Sequence, residues 1–356
     1  MRGEIRHWLA MTLFSLTLTA CGSPSVDDLL ESAAELREQG RYESATAEYR
    51  QVLQEEPDNA EARFGLGHVQ LLSGEYRRAV VALRRAQDLG IDPDRVQPLL
   101  ARALLWSGEH EQLIEEIDPE SVSDQRSRAE VLAYVGRAHL HAERHQDARS
   151  ALDDALAMDG DSVPVLVSLS RLALAQEQHQ EAADYAERAL DADRDSSAAR
   201  FARGDAARGL ADDETAVAHY EAGLDGMTPD VSVLEAFNAR GRLAQALLGL
   251  DRMTEAKEHV EVMRRQASRH PYPNYLAGII ALREGDLSTA TERGQTMLAA
   301  APDSIPGKLL MGTVRLEQGQ YAQAVRHLQD VVSADPENAE AQALLMSALR
   351  GAGHEP

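Results

Sequence analysis

Residues 57–86, PDNAEARFGLGHVQLLSGEYRRAVVALRRA, decide the fold of this 356-residue chain. Apolar and small residues recur there at helical spacing on both sides of Gly74, which predicts two helices joined by a tight turn. Helix A is predicted over residues 60–73 with Asn59 as its N-cap, and helix B over residues 76–88. Gly74 should end helix A because glycine adopts the left-handed cap conformation without steric cost. The stretch is therefore one helix-turn-helix unit.

The same unit recurs along the chain. Gly67 and Ala79 are small residues that stand where helices A and B must approach most closely. Alignment on Ala79 gives nine units, and their spacings along the chain are 34, 34, 35, 34, 34, 40, 34 and 34, a series that chance hardly produces. The aligned residues are Ala45, Ala79, Leu113, Ala148, Ala182, Ala216, Ala256, Ala290 and Ala324. The chain is therefore predicted to be all-α.

This period and pattern resemble the tetratricopeptide repeat, or TPR. Glycine marks the turn between the helices in four repeats, and proline closes helix B in three. The glycines are Gly40, Gly74, Gly108 and Gly319, and the prolines are Pro57, Pro302 and Pro336. The resemblance implies a solenoid of about nine helix-turn-helix repeats, wound as a right-handed superhelix, in which each repeat contacts only its neighbours.

Departures from the regular period divide the array. Repeats 1–6 are predicted over residues 26–230 and repeats 7–9 over residues 237–338. A longer connection is predicted over residues 231–236, where the spacing rises to 40, although an extra helical turn could take up the same residues. This is the first candidate for a hinge. Repeat 3 is degenerate, with an irregular segment predicted over residues 118–128.

The last segment, residues 339–356, begins like residues 60–62 and is predicted to form a capping helix and tail. A solenoid needs such an end because its final repeat would otherwise expose the surface that stacks on a neighbour.

Residues 1–20 have the features of a lipoprotein signal peptide. Arg2 and Arg6 precede a short apolar run from Trp8 to Thr19, whereas a span of the bilayer takes ~20 residues. The run ends in Leu18-Thr19-Ala20-Cys21, which resembles the bacterial lipobox, and Cys21 is the only cysteine of the chain. The alternative is an ordinary secretory signal with an incidental cysteine.

The lipobox resemblance implies that Cys21 becomes the first mature residue and carries fatty-acyl groups such as palmitate. Residues 21–25 would then be a lipidated tether. In the resembling lipoproteins an aspartate after the cysteine retains the protein in the inner membrane, and Gly22 stands there instead. The chain is therefore expected in the bacterial cell envelope, as an outer-membrane lipoprotein that faces the periplasm.

Residues 26–117 carry a more specific resemblance. The sequence DDLL at residues 27–30 follows the lipobox closely, and GIDPDRV at 90–96 precedes LLARALL at 99–105. Together these stretches look like the start of the TPR lipoproteins of the PEP-CTERM/exosortase system. Those proteins accompany exopolysaccharide production and protein sorting at the envelope of Gram-negative bacteria. Related-looking lipoproteins with the same repeats serve polysaccharide secretion or pilus assembly.

Composition restricts the function. The formal charge of −23 argues against general nucleic-acid binding, which needs a basic footprint. Within the sequence, the P-loop, nucleophile-elbow and zinc-protease motifs are absent, and no cofactor, metal centre or catalytic residue is predicted. His139, His141 and His145 could suggest a metal site, but on the predicted helices they diverge, whereas zinc needs convergent ligands.

The concave groove is the candidate binding surface, because in this repeat it is lined by helix A side chains. Arginines recur along it once per repeat, at spacings of 35 and 34, beside leucines and aromatic side chains. The candidate partner-binding residues are Phe64, Arg102, Trp106, Arg137, Arg171, Phe201, Arg208 and Tyr275. In the alternative interpretation the leucines are inter-helix core, and the arginines pair with nearby carboxylates such as Glu130.

These observations favour a non-enzymatic protein–protein interaction scaffold, anchored to the membrane by its lipid, that assists exopolysaccharide export or PEP-CTERM/exosortase-type protein sorting. A type IV pilus or secretin assembly lipoprotein is the alternative. The expected partners are proteins of the cell envelope, and the groove could also take an anionic polysaccharide.

Overall fold

The structure is a computed structural model and describes residues 24–353, which form 19 α-helices and one short 3-10 helix. The predicted signal peptide, the lipidation site Cys21 and part of the predicted tether lie outside the described residues. The helices are α1 (Val26–Glu38), α2 (Tyr42–Glu55), α3 (Ala60–Leu72), α4 (Tyr76–Asp88), α5 (Pro93–Ser107), α6 (His110–Glu116), α7 (Gln125–His141), α8 (His145–Met158), α9 (Val163–Ala175), α10 (His179–Ala192), α11 (Ser197–Gly209), α12 (Asp213–Asp225), α13 (Val233–Gly249), α14 (Met253–Gln266), α15 (Pro271–Arg283), α16 (Leu287–Ala300), α17 (Ile305–Glu317), α18 (Tyr321–Ala334) and α19 (Ala339–Gly351).

The helix pair α3–α4 confirms the predicted repeat unit. The side chain of Asn59 accepts a hydrogen bond from the Ala62 N–H at 2.9 Å and so caps α3. Gly74 has a φ of 81°, the left-handed conformation expected of a glycine at this turn. A Cβ added at Gly67 would lie 2.7 Å from the Leu83 side chain, so only glycine lets the two helices approach this closely.

Burial confirms the repeat register. All nine residues aligned on Ala79 are 0% exposed, including Leu113 in the degenerate third repeat. Four middle repeats lack a glycine at the turn between their helices, and there a non-glycine residue takes the left-handed conformation. These residues are Glu143, Glu177, Ala211 and Asp251, with φ between 58° and 60°.

Consecutive helices pack against each other, and helices A of adjacent repeats also touch, as α5 does with α7 and α7 with α9. This double contact makes the described part of the chain a solenoid, with its apolar residues between successive helices. The last helix, α19, packs on α17 and α18 as the predicted capping helix should. Within residues 24–353, no helix is long and apolar enough to cross a membrane.

Two predicted boundaries need correction. The segment predicted as irregular over residues 118–128 is shorter, because a 3-10 helix forms over Pro119–Ser121 and α7 begins at Gln125. The Asp94 carboxylate holds this segment by accepting hydrogen bonds from the N–H and the hydroxyl of Ser123, at 2.6 and 2.7 Å.

The second correction concerns the connection predicted over residues 231–236. Residues 233–236 are helical, because the 17-residue helix α13 begins at Val233, and the connection runs over residues 226–232. Most other helices A have 13 residues, so α13 carries one extra turn at its N-terminus. The extra residues of this repeat therefore form a longer loop and an extra helical turn together.

Candidate partner-binding groove

The extra turn of α13 reaches across the groove to two of the predicted arginines. Arg137 of α7 and Arg171 of α9 donate hydrogen bonds from their Nη2 atoms to the same carboxylate oxygen, Oε1 of Glu235, at 2.6 and 2.8 Å. These arginines precede Glu235 by 98 and 64 residues in the chain. Side chains from three repeats therefore meet at one carboxylate.

Local structure at the start of α13 fixes the position of Glu235. The Ser232 hydroxyl accepts a hydrogen bond from the Glu235 N–H at 3.0 Å, and Oε2 of Glu235 accepts one from the Ser232 N–H at 2.9 Å. This reciprocal pair is a capping box. One carboxylate thus caps α13 with one oxygen and receives both arginines with the other.

The same turn is also tied to the second repeat. The Val233 N–H donates a hydrogen bond to the Tyr76 hydroxyl oxygen at 2.9 Å, which links residues 157 positions apart. A Cβ added at Gly74 would lie 3.3 Å from a methyl group of Val233, so the two segments are in contact there. Hydrogen bonds from both sides of the groove therefore hold the segment that the repeat spacing predicted as a hinge.

The electrostatics of this contact favour the charged carboxylate. Burial alone would raise the pKa of Glu235, but Arg137, Arg171 and the Ser232 N–H outweigh it and lower the pKa to about 2. Burial and the neighbouring Arg137 lower the pKa of Arg171, while Glu235 opposes that shift. Two guanidinium groups share one carboxylate, so the cluster keeps an excess of positive charge.

A cavity of about 250 Å³ lies between this cluster and α5. Its lining includes Trp106, His110 and His141 together with Arg137 and Glu235. The rings of His110 and His141 stack with their centroids 4.1 Å apart. Partial burial, together with the neighbouring His110, Arg137 and Arg171, lowers the pKa of His141 to about 4, so this imidazole is neutral near pH 7.

The three histidines considered for metal binding do not share a position. His141 faces the cavity, whereas the ring of His139 lies 4.0 Å from the carboxylate of Asp147. His145 is exposed at the first position of α8. Among residues 24–353, no group of three or more histidine, cysteine, aspartate or glutamate side chains is arranged to hold a metal ion.

Arg102 and Trp106 lie beside this cavity. The Arg102 guanidinium carbon is 5.2 Å from the centre of the Trp106 ring, and Tyr76 meets that ring edge-on at 5.4 Å. Tyr76 and Trp106 also line a second cavity of about 340 Å³. Both Arg102 and Trp106 are half-buried, so part of each side chain remains open to a partner.

The structure separates the other predicted residues from this site. Phe64 is half-buried beneath the Arg95 guanidinium, whose carbon lies 4.5 Å from the ring centre. Arg208 donates a hydrogen bond to the Gln245 side chain at 3.1 Å, and Tyr275 is half-buried among apolar residues of the later repeats.

Phe201 requires a correction. It was predicted to line the groove but is 1% exposed and belongs to the core, where its ring occupies the space beside Gly223. A Cβ added at Gly223 would lie 2.6 Å from the Phe201 ring. Because Gly223 on helix B has no side chain, the Phe201 ring has room to pack inside the core.

Glu235, the residue that completes the site, is not among the residues predicted from the sequence. The nearby carboxylate considered as an arginine partner, Glu130, instead accepts a hydrogen bond from the Tyr134 hydroxyl at 2.8 Å. Glu235 takes both arginines, from a repeat two units beyond Arg171. The only sequence signal for it was the longer spacing that precedes Ala256.

Comparisons with known structures agree with the solenoid. PilW, described as a widely conserved type IV pilus biogenesis factor, matches with a TM-score of 0.54 at 13% identity, over 61% of this chain and 98% of PilW. Human IFIT1, as a dimer with m7Gppp-AAAA, matches with a TM-score of 0.54 at 16% identity, over 87% of this chain and 72% of IFIT1. At these identities the likeness shows the fold alone.

Comparisons of sequence identify the repeat. No curated protein matches the chain significantly. Two sequence models of the tetratricopeptide repeat match, one over residues 36–103 and 281–349 and the other over residues 167–232, together more than half of the chain. The repeat register, the helix pairs and these matches agree, and the chain belongs to the tetratricopeptide-repeat family.

Proposed function

We propose that this chain is a non-enzymatic scaffold of the bacterial cell envelope that binds partner proteins in the groove between α5, α7, α9 and the start of α13. The observation that carries this proposal is the convergence of Trp106, Arg137 and Arg171, from three repeats, on one cavity. Trp and Arg side chains in well-packed pockets supply much of the energy of protein–protein binding. The TPR fold supports protein partners.

The lipid anchor at Cys21 is part of the proposal, and it rests on the lipobox that ends at this residue. Cys21→Ser should abolish labelling by a fatty-acid probe and leave the precursor uncleaved, because the thiol is the group that is acylated. The measurement is metabolic labelling followed by electrophoresis, with the unchanged chain as the control. Normal labelling of the serine variant would contradict the anchor.

For the system served, we propose assistance to exopolysaccharide export or to PEP-CTERM/exosortase-type sorting, because residues 26–117 resemble lipoproteins of that system. Assembly of a type IV pilus or secretin is the second candidate, which the shared fold of PilW favours. Partners captured from the envelope discriminate them: export components or sorted surface proteins support the first, and pilins or a secretin the second.

The groove itself is tested by capture after cross-linking in intact cells. Arg102→Gln with Trp106→Leu should reduce the recovered partner about tenfold or more, because these half-buried side chains carry the cation and the indole of the site. Neither residue takes part in the Glu235 cluster, so the fold should persist.

Arg84→Gln with Val81→Ala is the matched control, since Val81 is exposed, Arg84 pairs with Glu116, and none of these residues lines either cavity. Circular dichroism of both variants checks the fold. Equal capture by the two folded variants would remove the groove from the proposal.

A further inference from the structure

We propose that the first turn of α13 occupies the groove as an internal ligand, and that the partner is a peptide segment in which an apolar residue directly precedes a glutamate. The partner's glutamate would replace Glu235 between Arg137 and Arg171. This inference rests on the proposed scaffold function and names the chemistry of the partner. It also means that binding must release the turn that now spans the groove.

Across the groove this turn makes polar contacts, whereas Val231, Ala236 and Phe237 on either side of it are buried in the core. Val233 is 65% exposed and Leu234 is 58% exposed, so neither side chain is held in a core. Two contacts hold the turn across the groove: the Glu235 carboxylate accepts hydrogen bonds from Arg137 and Arg171, and the Val233 N–H donates one to the Tyr76 hydroxyl. Because the turn reaches the two arginines through one carboxylate only, another segment that offers the same group and buries more apolar surface can replace it there.

The charge of the site fits a single carboxylate. Arg137 is 8% exposed and lines the cavity, and its Nε–H has no hydrogen-bond partner within residues 24–353. The Nε–H of Arg171 is unpartnered in the same part of the chain. Guanidinium groups bind carboxylates best through two parallel hydrogen bonds, whereas Glu235 offers these arginines only Oε1. A carboxylate free of the capping box could accept from them with both oxygens.

The space beside the arginines fits an apolar side chain. The cavity of about 250 Å³ is lined on one side by Leu105 and Trp106 and on the other by Leu234 of the internal turn. Beyond Trp106, the second cavity continues toward Tyr76. Once Leu234 withdraws, a partner's apolar residue can contact the Trp106 ring while the following glutamate reaches the arginines.

A peptide fits this site better than a polysaccharide or a nucleic acid. The cluster of Arg137, Arg171 and Glu235 carries an excess of positive charge and Arg102 lies near it, whereas the whole chain carries −23. A long polyanion would gain two or three arginine contacts and meet repulsion along the rest of the surface. A peptide with one carboxylate at this point gains the contacts without that repulsion.

The test uses the chain's own turn as the probe. A fluorescein-labelled peptide with the sequence of residues 227–238, MTPDVSVLEAFN, is titrated into the purified full chain and followed by fluorescence anisotropy. Glu235→Gln keeps the shape of the side chain and an acceptor for the Ser232 N–H but removes the charge. The Glu235→Gln protein should bind the peptide about tenfold more tightly than the unchanged chain, because its own turn competes less.

Two matched changes locate the binding. Adding Arg137→Gln to the Glu235→Gln protein should weaken binding of the peptide about tenfold or more, whereas adding Arg84→Gln should leave the binding unchanged. A peptide with glutamine at the position of Glu235 should also bind about tenfold more weakly. Equal binding by the unchanged and Glu235→Gln proteins, by both peptides, or by both arginine variants would overturn the proposal.

A second measurement does not depend on any variant. Saturating peptide should speed hydrogen exchange of the amides of residues 233–236 in the unchanged chain, since the turn leaves its anchors; unchanged exchange with bound peptide would contradict displacement. Tighter binding of a polygalacturonate oligomer or of oligoadenylate than of the peptide would overturn the choice of ligand. If the peptide does not bind but Arg102→Gln with Trp106→Leu still reduces capture of the partner from the envelope, this inference is wrong and the scaffold function stands. If the peptide does not bind and capture is also unchanged, both proposals are wrong.

Discussion

Replacing Glu235 with alanine should lower the free energy of unfolding by about 3–5 kcal/mol, the range typical of removing one partner from a buried ion pair. The change leaves Arg137 and Arg171 buried close together with no carboxylate between them, and it removes the side chain that caps the Ser232 N–H. Urea unfolding followed by circular dichroism measures the effect.

The matched control is Glu61→Ala. Glu61 also receives a two-pronged contact from an arginine, Arg95, at 2.6 and 2.8 Å, but both side chains are about half exposed. Exposed ion pairs contribute about 0–1 kcal/mol. A loss at Glu235 no larger than the loss at Glu61 would show that the groove contact does not stabilise the fold.

The pH dependence of stability gives the same contact a second signature. The pKa of Glu235 is about 2 in the folded chain, against an ordinary value of 4.5. Because the folded pKa is the lower one, the contribution of the charged Glu235 to the free energy of unfolding is complete above pH 4.5 and is lost as the pH falls toward 2. The shift corresponds to roughly 3 kcal/mol of unfolding free energy. As the pH falls from 4.5 to 2, the unchanged chain should lose this stability, whereas the Glu235→Ala protein, which lacks the carboxylate, should not.

The helices and their register were predictable from the sequence because they depend on short-range spacing. The constant repeat period brings each small residue back to the same interhelical contact, as the complete burial of Ala79 and its equivalents shows. Caps such as Asn59 and turns such as Gly74 depend only on residues close to them in the chain. Neither requires knowledge of the path of the whole solenoid.

The occupant of the groove was not predictable in the same way. Arg137 and Glu235 meet only because the curvature accumulated over three repeats brings α7 and the start of α13 together, and the spacing pattern contains no measure of that curvature. The pattern did locate the extra turn that carries Glu235. It could not show that the turn points into the groove, so a neighbouring carboxylate was the natural expectation.

Phe201 shows a different limit. It shares its repeat position with Phe64 and Tyr275, which are half-buried, and the position alone predicts the same surroundings for all three. The difference comes from helix B of its own repeat, where Gly223 leaves a space that the Phe201 ring fills. Position within a repeat therefore predicts the direction of a side chain only when the facing residue is of ordinary size.

This packing predicts that Phe201→Ala will lower the free energy of unfolding by about 3–5 kcal/mol, the usual loss for a buried phenylalanine. Phe64→Ala, at the equivalent half-buried position, should lose clearly less. Equal losses of unfolding free energy would indicate that Phe201 lines the groove and is not part of the core.

A double-mutant cycle tests the cause of that burial. Gly223→Ala in the unchanged chain should be destabilising, because its Cβ would lie 2.6 Å from the Phe201 ring. In the Phe201→Ala background the ring is gone, and the same change should be clearly less destabilising, because only the Arg200 Cβ, 3.2 Å away, still crowds the added methyl group. Chemical denaturation of the four proteins measures the coupling. If Gly223→Ala has the same effect in both backgrounds, the two residues do not share this space, and the glycine is not the reason that Phe201 lies in the core.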